Sequence, residues 1–135
     1  MSINRKIRRK QEQNTIKDKE IDSVIANAKK LIITAKEPKA FLSELLYNIV
    51  ESEETKDDIA YVKGIYNGIE NVIPSIEENI KKLELLVGAK RTDKFMLDAV
   101  ETIMEVSEKC LLLEDNIRKA YTVFKSLEEA GEKNE

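Results

Sequence analysis

A seven-residue repeat runs through the last third of the chain and constrains its fold more than any other feature. Met96, Ile103, Cys110, Ile117 and Phe124 recur at intervals of seven, and Ala99, Val106, Leu113, Ala120 and Leu127 follow them three positions later. All ten are apolar in a chain whose hydrophobic content is 41%. A period of 3.5 residues keeps side chains on one line of a helix, whereas a strand alternates with a period of two. The spacing therefore predicts a long helix, about 93–130, packed lengthwise on another helix. Thr92 or Asp93 stands where its N-cap belongs, and Gly131 where it should end.

The partner is read immediately upstream. Ile59, Val62, Tyr66, Ile69 and Ile73 keep the same 3-4 spacing, and Ile76, Ile80, Leu83, Leu86 and Val87 continue the apolar face to Gly88. Thr55 with Asp58 is a variant capping box at the start. Pro74 lacks a backbone donor and is expected to kink this helix of about 56–88, with Ser75 and Glu78 as a capping box for a fresh start. Residues 88–92 make a short loop, so the two helices form an antiparallel α-hairpin.

In the N-terminal third, Ile21, Val24, Ile25, Ala28, Leu31, Ile32 and Ala35 form one apolar face, and Phe41, Leu42, Leu45, Leu46, Ile49 and Val50 another. Proline pushes its predecessor out of the helical region, so Pro38 is expected to divide two helices, about 15–36 and 38–51. The fold class is all-α: a bundle of long amphipathic helices forming a single domain over residues 15–135. Only four Gly and two Pro interrupt the chain, as long helices require.

Charge divides the chain differently. Residues 1–19 hold seven basic and two acidic side chains, a balance of +5, while the other 116 hold 16 basic and 24 acidic, a balance of −8. Residues 1–14 read as a basic arm on an acidic body. Arg5, Lys6, Arg8, Arg9 and Lys10 can neutralise phosphates or engage an acidic protein. Nothing before Phe41 is aromatic, so the arm offers no base-stacking platform and nothing to read sequence with. Ile3 and Ile7 lie one turn apart and could dock the arm on a partner.

Ala60, Gly64 and Gly68 recur at intervals of four inside the middle helix. Each Gly costs about 1 kcal/mol relative to Ala there, so something should offset it. Small residues one turn apart admit a second backbone closely, and intramolecular packing is the leading explanation, with an interface as the alternative. Tyr47 and Tyr61 are expected at the core edge, and Cys110 as a small apolar member of the seam.

Catalytic chemistry is poorly provided for. The chain has no histidine and one cysteine, which removes Ser-His and Cys-His nucleophiles, thiolate zinc sites and histidine-dependent di-iron sites. The glycine patterns that cradle phosphates are missing. Adjacent carboxylates such as Glu53 and Glu54 point about 100° apart on a helix and do not converge. A non-enzyme without cofactor, metal or small-molecule substrate is expected. Lacking an apolar run long enough for a bilayer or a secretion signal, it is expected in the cytoplasm or in a virion assembled there.

The opening Met1-Ser2-Ile3-Asn4-Arg5-Lys6-Ile7-Arg8-Arg9-Lys10 resembles the starts of many small proteins from phages and prophages of AT-rich bacteria, as does the bias toward Lys, Ile, Glu and Asn. The resemblance implies a virion component, an assembly chaperone, an adaptor or an inhibitor of a host system. From the residues themselves the expected function is a non-catalytic helical interaction or assembly protein, self-associating or binding a protein partner. A non-sequence-specific nucleic-acid-binding protein acting through the arm is the alternative.

Overall fold

The computed structural model describes residues 16–134, with side chains described as far as Gly131. Three helices account for nearly all of them: α1, Asp18–Asn48; α2, Lys56–Leu86; and α3, Asp93–Asn134. Each packs on both others. At about 1.5 Å per residue, α1 and α2 are rods of about 46 Å and α3 one of about 63 Å. The pairing is antiparallel along the chain. Lys29 pairs with Glu84 at one end of the α1–α2 interface, while Leu45 and Ile49 face Val62 and Asp58 at the other. Likewise Asn79 meets Glu105, and Gly68 meets Asn116, along α2 and α3.

One apolar core runs between the rods. α1 contributes Ile21, Ile25, Ala28, Ala35 and Leu42; α2 contributes Val62, Ile65, Ile69, Val72, Ile76, Ile80 and Leu83; α3 contributes Phe95, Ala99, Val106, Leu113, Ile117 and Ala120. The second line of the heptad is thus buried from Ala99 to Ala120. Met96, Ile103 and Cys110 are half-buried beside it, while Phe124 and Leu127 are exposed. Phe124 is held instead by one edge-to-face contact, its ring centroid 5.1 Å from that of Phe41.

The structure corrects the expectation at Pro38. Residues 15–36 and 38–51 do not form two helices: α1 runs through Pro38 from Asp18 to Asn48. A proline inside a helix loses a hydrogen bond and costs about 3 kcal/mol. Here Pro38 is itself buried and falls on the face that buries Ala35 and Leu42 on either side, so packing of an uninterrupted stripe outweighs the local penalty. α2 runs as one helix with Pro74 inside it, between buried Val72 and Ile76, and Ser75 opens no fresh helix.

The helix ends differ too. Thr55 makes no side-chain cap on α2. Its hydroxyl donates to the Val50 carbonyl at 2.7 Å and accepts from the Ser52 N–H at 2.9 Å, organising the α1–α2 loop instead. Thr92 does cap α3, accepting from the Phe95 N–H at 3.1 Å. Gly88, at φ +78°, turns the chain after α2 in the left-handed conformation expected of a C-terminal glycine. Gly131 lies inside α3, which continues to Asn134. Among the described residues, no helix is long and apolar enough to cross a membrane.

Candidate interaction surface

The start of α3 is fixed from three sides. Thr92 caps it, the Arg91 guanidinium lies 4.3 Å above the Phe95 ring, and Arg91 also pairs with Asp18 at the start of α1. Asp18 accepts a second bond from the Gly88 N–H at 3.1 Å. Both donors favour the ionised carboxylate and hold the Asp18 carboxyl below its usual range, Arg91 contributing most. Farther along, Asn79 of α2 is 2% exposed and bridges to α3. Its amide nitrogen donates to Glu105 Oε2 at 3.0 Å, and its oxygen accepts from Lys109 Nζ at 2.6 Å. These polar ties set how α3 is rotated about its own axis.

That rotation leaves a second apolar stripe outside. Leu97, Val100, Met104 and Leu111 are 59%, 42%, 58% and 66% exposed. At about 100° per residue they fall within an arc of roughly 60°, nearly opposite the face carrying Ala99, Val106 and Leu113. Single exposed apolar residues are ordinary, but four in line on one helix form a continuous surface. Ser107 fills the one gap in the 3-4 spacing. Glu101, Glu105 and Glu108 flank one side. From residue 93 to 115 α3 carries seven acids against Lys94 and Lys109. Among the described residues, neither Glu101 nor Glu108 enters an ion pair.

The stripe was readable in the sequence. Leu97, Met104 and Leu111 each directly follow a seam residue, Met96, Ile103 or Cys110, so a second heptad register runs one position behind the first. Counting only the seam absorbs it.

Of the residues singled out by sequence, Arg5, Lys6, Arg8, Arg9 and Lys10 lie outside the described part of the chain. Ala60 and Gly64 are exposed on α2, with open space where a Gly64 Cβ would stand. Only Gly68 makes a close approach: a Cβ there would lie 2.6 Å from Asn116 Nδ2. The three positions therefore do not act as one packing stripe within the bundle. Tyr47 and Tyr61 are both exposed rather than at the core edge. Tyr61 lines an open groove of about 350 Å³ between the three helices, with Leu45, Ile49, Val62, Val123 and Leu127. Cys110 is half-buried, and burial, helped by Glu114, pushes its thiol pKa up, which disfavours the reactive thiolate.

No family model, no curated protein and no solved structure matches the chain.

Proposed function

We propose that the protein is a non-catalytic interaction protein whose bundle presents the outer face of α3 to a protein partner. The observation that carries the reading is the exposed line Leu97, Val100, Met104 and Leu111, repeating at helical spacing on a helix whose opposite face is already buried. A partner helix with matching spacing would bury the line lengthwise, the mode by which amphipathic helices enter apolar grooves and seams. The phage-like opening extends the reading to a virion component, assembly chaperone, adaptor or inhibitor of a host system, acting in the cytoplasm.

The test uses three baits in a lysate of the native host: the full chain, L97E/M104E, and L85E as a control, since Leu85 is 81% exposed on α2. The reading expects proteins retained by the full chain and by L85E and lost with L97E/M104E. Identical retention by all three removes it.

A second reading, non-specific nucleic-acid binding, is favoured by the five positive charges within residues 5–10. It expects DNA and RNA affinity that falls steeply with salt and is lost when residues 1–12 are removed. Binding unchanged by that truncation contradicts it.

A further inference from the structure

The α3 stripe and the basic arm have complementary chemistry, and they start from the same end of the molecule. We propose that residues 3–10 of the chain cover the α3 stripe of the same molecule, Ile3 and Ile7 against Leu97, Val100 and Met104, and the arm's cations against Glu101 and Glu108. The inference rests on the reading of the stripe as a docking face and names its regulator: the arm occupies the surface that a partner must take.

Charge selects this occupant. The stretch 93–115 has a balance of −5, and residues 5–10 have +5. A second copy fits less well. Antiparallel pairing of two stripes about Met104 sets the flank bearing Glu101, Glu105 and Glu108 against the same flank of the other molecule, and like charges so placed repel.

Position and spacing agree with charge. Ile16 packs against the core, and two residues later Asp18 is bound to Gly88 and Arg91 of the α2–α3 loop. Ile16, the first described residue, thus lies at the end of the bundle where α3 starts. Ile7 precedes Ile16 by nine positions, a reach of up to about 30 Å when extended. A helix is about 10–12 Å across, so this length passes round α3 to its outer face. Ile3 and Ile7 are four apart, as are Val100 and Met104, the spacing at which two side chains share a helix face.

Zero-length carbodiimide coupling of the full chain tests the proposal, with coupled peptides identified by mass spectrometry from the monomer band. The expected result is Lys6 and Lys10 joined to Glu101, Glu105 or Glu108. These couplings should fall by about tenfold in L97S/M104S, and likewise in I3S/I7S, which changes no residue of α1, α2 or α3. Couplings spread over the acids of α1 and α2, couplings confined to a dimer band, no coupling, or couplings indifferent to both variants would each overturn it. The bait experiment separates the two claims. Loss of partners by L97E/M104E without arm coupling removes only the arm, and coupling without loss of partners removes only the external partner.

Discussion

Gly68 on α2 has no side chain where Asn116 of α3 has its amide: a Cβ at Gly68 would stand 2.6 Å from Nδ2 and 3.1 Å from Cγ of Asn116. Asn116 is buried and short, so it cannot swing clear without disturbing the interface around it. Ala at position 68 gains about 1 kcal/mol of helix propensity but meets a crowding cost of about 1–3 kcal/mol. Gly64, one turn away, has open space. Chemical denaturation should show G64A more stable by about 0.5–1 kcal/mol and G68A less stable by about 1 kcal/mol. The loss in G68A should shrink when Asn116→Ala is added. Equal gains at both glycines would contradict the close approach.

Asn79 is the buried polar bridge between α2 and α3. Replacing it with Ala removes its bonds to Glu105 and Lys109 and leaves a void. The expected loss is about 2 kcal/mol by urea unfolding. A loss near zero would mean that the bridge forms without contributing to stability.

The Asp18 carboxyl is held below its ordinary value of 3.8 by Arg91 and the Gly88 N–H. A depressed carboxylate contributes stability that is fully present above its unfolded pKa and is lost as pH falls through its folded pKa. The urea midpoint of the wild type should therefore exceed that of D18N at neutral pH. The gap should begin to close as pH drops past 3.8 and vanish in stronger acid. A gap independent of pH would assign the difference to packing rather than to charge.

The Cys110 thiol is pushed up by burial and by Glu114. Iodoacetamide should modify it more slowly in the folded chain than in urea, faster at alkaline pH, and faster in E114Q than in the wild type at neutral pH. Equal rates folded and unfolded would contradict its placement at the helix seam.

How much of this was legible depends on whether local or long-range physics decides each feature. The heptad of α3 announced the line Ala99, Val106, Leu113 and Ala120, because helical spacing is local and its burial follows. Gly88 and the short loop after it were equally plain. Pro38 misled, since the rule for proline concerns one turn of backbone, whereas Ala35, Pro38 and Leu42 are buried together by two other helices. The Thr55 hydroxyl could have capped α2, but it accepts from the Ser52 N–H of the preceding loop instead. Of the small-residue positions only Gly68 faces a neighbour, and which one does depends on how α2 is rotated against α3. The outer stripe was present as a second register, but nothing local distinguishes it from a widened core face.

The central claim is that α3 carries two apolar faces, one inside the bundle and one outside. Met104 and Val106 are two residues apart and lie on opposite sides of it. Urea unfolding of M104E and V106E is the most direct test. The account predicts that M104E loses about 1 kcal/mol or less, and that V106E, with an unpaired charge driven into the core, loses about 3 kcal/mol or more or fails to fold. Comparable losses in the two variants would place Met104 inside and contradict the account.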